Sequence, residues 1–155
     1  AGTTVIGAGK GKMIVSGAKM KVYEADTRVL PVMMNGTLYI PADSLSDILG
    51  YGKTKVEYDA YDNMLFVTSH DLEGTKITDY RWTYTVLGSL SGAINGKDTV
   101  LSNPVTAIDG IIYVPVTYIS EMFGLNVFDM GDGVFQITKY TKDSALIERV
   151  RAHLG

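Results

Sequence analysis

Apolar and polar positions along this chain fall into one arrangement that is written twice. The first instance runs Asn35-Gly36-Thr37-Leu38-Tyr39-Ile40-Pro41 and continues to Leu45, Ile48, Leu49 and Gly50. The second runs Asp109-Gly110-Ile111-Ile112-Tyr113-Val114-Pro115 and continues to Ile119, Met122, Phe123 and Gly124. Matched residues stand 74 apart as far as Gly50 and Gly124, then 70 apart, so that Tyr58-Asp59 aligns with Phe128-Asp129. Leu65-Phe66-Val67-Thr68 likewise aligns with Phe135-Gln136-Ile137-Thr138. Self-similarity at a fixed period points to architecture before any residue is given a role.

Each instance has a physical reading. Asn-Gly and Asp-Gly favour two-residue hairpin turns, because both central positions need φ > 0. An apolar strand follows and stops at a proline, which lacks the N–H a ladder needs and suits the first turn of a helix. Apolar residues at i, i+3 and i+4 then predict a short helix, closed by glycine. Two more strands follow, Lys55 to Tyr58 and Met64 to Thr68 in the first copy, joined by the turn Asp59 to Asn63. Hairpins at Met13 to Tyr23 and Thr83 to Lys97 open the two copies. The predicted fold is α+β and β-rich: two pseudo-symmetric ββαββ repeats, 12–68 and 82–139, packed into one unit. Residues 1–11 are expected to be a linker or an edge strand, and the polar stretch 69–81 a connection. Leu146, Val150 and Leu154 predict a C-terminal helix over 142–154, with Asp143 or Ser144 as its N-cap.

Composition narrows the function. Net charge is −3 and no basic run exists, which argues against nucleic acid as a partner. No apolar stretch approaches the roughly 18 residues that span a bilayer, so membrane insertion is not expected. Cysteine is absent, which removes disulfides, thiolate metal sites and thiol nucleophiles. The opening Ala1-Gly2-Thr3 reads as a module excised from a longer protein or as a processed product.

Candidate chemistry is sparse. Gly7-Ala8-Gly9-Lys10-Gly11 fits neither phosphate-loop spacing. Acidic residues (Asp43, Asp47, Asp59, Asp62, Asp109, Asp129, Asp132) fall in turns and helix starts and suggest no converging acid–base pair. Ser69-His70-Asp71 are adjacent, whereas a triad is assembled from separate segments. The turns at 59–63 and 129–133 lack the alternating ligand run of a calcium loop. No catalytic residue, metal site or cofactor is expected.

Tyr80-Arg81-Trp82-Thr83-Tyr84 is the segment that could carry binding. On a strand, Tyr80, Trp82 and Tyr84 share one face while Arg81, Thr83 and Thr85 share the other. Aromatic rings in a row can stack on the apolar faces of sugars, with Arg81 and polar neighbours taking hydroxyls or carboxylates. Packing of that face into the core is the more ordinary use of aromatic strand residues, and an exposed platform is the alternative. Tyr51, Tyr61 and Tyr140 lie near predicted turns and are further candidates for exposed ligand contacts. Tyr39 and Tyr113, at matched strand positions, are expected in the core.

The Asn/Asp-Gly-x-x-Tyr-Ile/Val-Pro run, the short helix ending in glycine and the aromatic-Asp pair before a last strand resemble the copper amine oxidase N-terminal-like domain, or stalk domain, over both copies. Where that family commonly continues Pro-Leu-Arg, this chain has Pro41-Ala42-Asp43 and Pro115-Val116-Thr117, and its Trp-Asp pair is here Tyr58-Asp59 and Phe128-Asp129. The resemblance implies a domain of secreted or cell-surface proteins of Gram-positive bacteria, often beside polysaccharide-degrading or wall-attaching domains. It does not imply amine oxidase chemistry, since the chain has only His70 and His153 and lacks the Asn-Tyr-Asp/Glu precursor of the quinone cofactor. A non-catalytic ancillary module is therefore expected, with a polysaccharide or cell-wall glycan and the neighbouring domains of a larger chain as partners. The alternative is a spacer that holds another domain off the wall and binds nothing. A contiguous exposed aromatic patch distinguishes the first from the second.

Overall fold

The computed structural model describes residues 2–16, 21–26, 29–50 and 52–155. Strands β1 (Thr4–Gly7), β2 (Lys12–Ser16) and β3 (Val22–Asp26) come first, then β4 (Val32–Met34) and β5 (Thr37–Pro41). A 3-10 turn at Ala42–Ser44 leads into helix α1 (Leu45–Leu49). Next come β6 (Thr54–Asp59), β7 (Met64–Glu73), β8 (Lys76–Val86), β9 (Ser91–Ile94) and β10 (Lys97–Val100). The remainder is β11 (Thr106–Ile108), β12 (Ile111–Pro115), α2 (Val116–Phe123), β13 (Asn126–Asp129), β14 (Val134–Thr138) and α3 (Ser144–Val150), which ends in a 3-10 turn at Arg151–His153. The protein is a β-rich α+β fold.

Turn chemistry places the hairpins. Asn35 and Gly36 have φ of 51° and 79°, and Asp109 and Gly110 have 51° and 80°, the left-handed pair that a two-residue hairpin needs. Gly124, at φ 70°, closes α2 in the left-handed cap conformation. Pro41 and Pro115 are the last residues of their strands and stand at the N-cap positions of the following turns, one residue before the helical conformation begins.

Three antiparallel sheets result. One has the order β13-β14-β1-β2-β3, another β10-β9-β8-β7-β6, and a four-stranded one β11-β12-β5-β4. In the four-stranded sheet Tyr39 lies opposite Pro115, Ile40 opposite Val114 and Pro41 opposite Tyr113. The two tyrosines are buried and bonded in the same way. Tyr39 Oη donates to Pro104 O at 2.9 Å and Tyr113 Oη donates to Leu30 O at 2.9 Å, and Leu30 and Pro104 are themselves 74 residues apart.

Two segments differ from expectation. Residues 4–7 are not a linker or an edge: β1 sits between β14 and β2, with Val5 and Ile6 fully buried. The stretch 69–81 is not a connection but ladder, because β7 and β8 run as one long hairpin that turns only after Glu73. Its polarity reflects a ladder that projects into solvent at Leu72 and Ile77. The first five-stranded sheet therefore joins residues 4–26 to 126–138, and the second joins 54–73 to 76–100. Neither expected copy, 12–68 or 82–139, keeps its strands to itself.

The main core lies where the three sheets and two helices meet: Ile6, Met13, Leu38, Ile40, Leu45, Ile48, Leu65, Val67, Val114, Ile119, Met122 and Ile137 among others. Both helices bury the face that the i, i+3, i+4 spacing marks, although Phe123 is only partly buried while Leu49 is buried. A smaller cluster sits on the far face of the first sheet, where Leu146, Ile147 and Val150 of α3, with Leu154 after it, lie over Val5, Ile14 and Val134. Asp143 caps α3 by accepting from Leu146 N at 3.0 Å. The buried Gln136 amide holds the approach, accepting from Asp143 N at 2.8 Å and donating to Asp143 O at 3.0 Å.

Two outcomes follow from this core. Tyr39→Phe and Tyr113→Phe should each lower stability by about 0.5–1.5 kcal/mol, the net worth of one hydrogen bond, and urea denaturation should show the two losses adding closely. Ile119→Ala should cost about 2–5 kcal/mol and Phe123→Ala clearly less, since only the first is fully enclosed. Equal losses at both would contradict the packing.

Alkaline pH offers a separate check. Burial pushes the Tyr118 phenol far above the ordinary value of 10.0, with the nearby Thr83 hydroxyl pulling weakly the other way. No hydrogen bond forms to Tyr118 Oη among the described residues, so burial governs. Burial raises Tyr39, and it raises Tyr113 with help from Asp109. Each group holds its proton more tightly folded than unfolded. Its contribution is whole below pH 10 and drains away as pH rises toward the folded value. The last phenolate absorbance should appear together with loss of β-structure, and its appearance in a still-folded chain would contradict the burial of Tyr118.

Candidate functional site

The inner face of β8 presents Thr83 and Thr85, both buried, and Thr83 Oγ1 donates to Val67 O at 2.8 Å. Alternation then sends Tyr80, Trp82 and Tyr84 to the opposite side. That side is open: Tyr80 is 53% exposed and Trp82 40%, with Tyr84 half-buried. Of the two readings for this face, the more ordinary one, core packing, is corrected. The core packs against the threonine face, with Tyr118 beside Thr83 and Met122 close to Gly92, the residue opposite Thr85.

The rings form a row. Trp82 and Tyr84 lie 6.4 Å apart between centroids at an interplanar angle of 24°, and Tyr84 and Phe66 lie 6.1 Å apart at 47°. Phe66 stands directly across from Tyr84 on β7, and Thr68 across from Trp82. Sequence reasoning missed Phe66 as a surface residue. The signal was available in the aligned copies, where Gln136 occupies the matching position. Gln136 anchors the segment that leads α3 over its sheet, whereas Phe66 is half-buried beside Tyr84.

Asn95 fixes the row from below. Its side chain accepts from Trp82 N at 2.8 Å and donates to Tyr80 O at 3.3 Å, while its own N–H donates to Trp82 O at 2.9 Å. Asn95 itself takes the left-handed conformation at φ 50°, with Gly96 beside it at 83°. A side chain at Gly96 would meet the Trp82 ring at 3.7 Å, so the indole lies over the bare turn. Polar groups border the rings: the Lys55–Glu57 ion pair at 3.0 Å, Thr68 and Asp98 occupy the neighbouring strands.

The other sequence candidates are dispersed. Arg81 points to the opposite face and donates to Met122 O at 2.8 Å, at the end of α2. It lines a cleft of about 330 Å³ with His70, Asp71, Asp79 and Lys139. A bulge opens here, since Ser69 pairs with Arg81 but Asp71 with Thr78, and Asp79 takes φ 48°. Tyr61 is 96% exposed in the β6–β7 turn and Tyr140 65% exposed beyond β14, neither joining the row. Tyr51 lies outside the described residues.

The chain matches the copper amine oxidase N-terminal domain over residues 15–136, most of its length. The chain belongs to that family. The copper amine oxidase N-terminal domain is a non-catalytic domain, and an ancillary role for this chain is compatible with it. Neither the curated proteins nor the solved structures contain a match. The described residues offer no ligand cluster for the metal in the family's name. Among the described residues no group of three or more His, Cys, Asp or Glu side chains is placed to hold an ion. His70 lies in β7 and His153 in the terminal 3-10 turn.

Asn95→Ala tests the support of the row. Loss of the two side-chain hydrogen bonds, to Trp82 N and Tyr80 O, should lower stability by about 1–2 kcal/mol and shift Trp82 fluorescence toward that of a freer indole. An unchanged spectrum would mean that the indole is held by its neighbours alone.

Proposed function

We propose that this chain is a non-catalytic ancillary module that binds polysaccharide on the Phe66–Tyr84–Trp82 row, with Tyr80 extending the face. One observation carries the reading: the rings are contiguous, with Trp82 and Tyr80 exposed and Tyr84 and Phe66 half-buried, while the matching face of the other five-stranded sheet is sealed by α3. Flat rings offer apolar area with little rotamer entropy to lose, which suits the C–H faces of sugars, and the polar border suits hydroxyls. Exposed aromatic patches on a folded surface generally mark interaction sites. The same proposal places the module in a secreted or cell-surface bacterial protein, attached to neighbouring domains.

We also infer that the chain is one unit duplicated, with strands exchanged between the copies. The mutual register of β5 and β12 and the matched Tyr39 and Tyr113 hydrogen bonds support that inference. A stalk or spacer role is the second reading, and membership of the family is compatible with it.

Affinity electrophoresis against a panel of neutral polysaccharides tests the proposal. Retardation by at least one polymer is expected, with a change in Trp82 fluorescence on binding. Trp82→Ala should weaken binding by about 1.4 kcal/mol or more, a tenfold effect, with the circular dichroism of the fold retained. If no polymer retards the chain, the spacer reading stands; if Trp82→Ala binds as well as the parent, the aromatic row is not the binding site.

A further inference from the structure

On the side of the β7–β8 hairpin away from Trp82, two hollows share Asp71 and Lys139 on their common rim. The smaller is the Arg81 cleft of about 330 Å³, and the larger, about 820 Å³, runs between the start of β1, the tip of β7 and the first turn of α3. Five cationic side chains line the pair, Lys53, Arg81, Lys139, Lys142 and Arg149, against the carboxylates Asp71, Asp79 and Asp143. The chain as a whole has 14 Lys and Arg against 17 Asp and Glu, so positive charge is concentrated here against the overall balance.

Most of that charge is uncommitted. Lys139 pairs with Asp71 at 3.2 Å. Asp143 is engaged as the cap of α3. Arg81 spends one nitrogen on a neutral carbonyl, Met122 O, with Gly124 leaving room beside the rest of its guanidinium. Among the described residues Lys53, Lys142 and Arg149 have no carboxylate within ion-pair distance. Unpaired cations gathered in a concave surface focus a positive potential and raise the local concentration of anions. A guanidinium fork and several ammonium groups in series suit oxyanions repeated along a chain.

We propose that this groove binds an acidic polysaccharide through its repeated oxyanions, at a site separate from the aromatic row. The shared chemistry is a sugar or polyol polymer bearing a carboxylate or a phosphodiester on each repeat. Tyr140, exposed in the lining of the larger hollow, supplies an apolar ring for the sugar between charges. Nothing in the proposal uses Trp82, Tyr84 or Phe66, so it stands or falls apart from the neutral-glycan reading.

The test uses the full chain, fluorescently labelled, titrated with polygalacturonate, with a polyglycerol phosphate, with a neutral glucan and with a thymidine oligonucleotide. At least one acidic polymer should bind, with affinity falling as ionic strength rises. Retention of polygalacturonate alone assigns the oxyanion as carboxylate; retention of the polyol phosphate alone assigns it as phosphodiester. Lys53→Glu, Lys142→Glu and Arg149→Glu combined should weaken acidic-polymer binding at least about tenfold with an unchanged melting temperature. Trp82→Ala should leave it within roughly twofold of the parent. Should the triple variant fail to fold, Arg149→Gln and Lys142→Gln together are expected to weaken binding in the same direction. The proposal is overturned if no acidic polymer binds, if the charge variants bind like the parent, or if the oligonucleotide binds as tightly as the acidic glycans.

Discussion

Antiparallel pairing of β5 with β12 is the constraint from which the rest of the molecule hangs. It brings together segments more than seventy residues apart, so its loop-closure entropy must be met before it returns any contact. Its centre, Ile40 opposite Val114, is fully buried. Both strands end at a proline, so the ladder stops at the same distance from that centre in each direction. From there α1 and α2 start, and α2 lies back across β5 and β13. The two tyrosine hydroxyls tie the loops at Leu30 and Pro104 to the same pair of strands. Loss of this pairing would take from α2 the strands β5 and β12 that it packs against.

The five-stranded sheets show what one added helix does. Each buries one face in the shared core and leaves one face to be dealt with. On the first, Val5, Ile14 and Val134 are small and aliphatic, and α3 covers them with three apolar side chains, joined by Leu154 beyond its end. A buried amide, Gln136, is tolerable there because both ends of it are hydrogen-bonded to Asp143. On the second, the chain turns from β7 directly into β8, with no helix to spare. Its far face carries rings that are partly shielded by one another, and by the Asn95-Gly96 turn, instead of by a helix. The proposed binding face is thus a sheet surface finished in a different way.

Charge follows the same division. The cationic groove lies where strands drawn from distant parts of the chain come side by side, at the end of β14, the tip of β7 and the start of α3. Its cations come from positions 53, 81, 139, 142 and 149, which is why no run of basic residues announces it. A net charge of −3 describes solubility and not the local field that any ligand would meet.

Local chemistry was legible in the sequence. Asn-Gly and Asp-Gly dictated tight hairpins because few other pairs accept two left-handed residues; proline ended strands because it cannot donate; i, i+3, i+4 spacing marked the buried helix faces. Alternation along β8 also set which residues share a side, since the strand period is two whatever the partner. Which side faced water was decided elsewhere. It depended on distant segments packing on the threonine face, Tyr118 beside Thr83 and Met122 beside Gly92 opposite Thr85, which no local pattern records. The same is true of β1, whose weak glycine-rich sequence gave no hint of a central strand. Its place is fixed by β14 and β2 on either side, across more than a hundred residues of chain. Short-range propensity determined the elements and their faces; long-range pairing determined their neighbours, and with them the surfaces left open for a ligand.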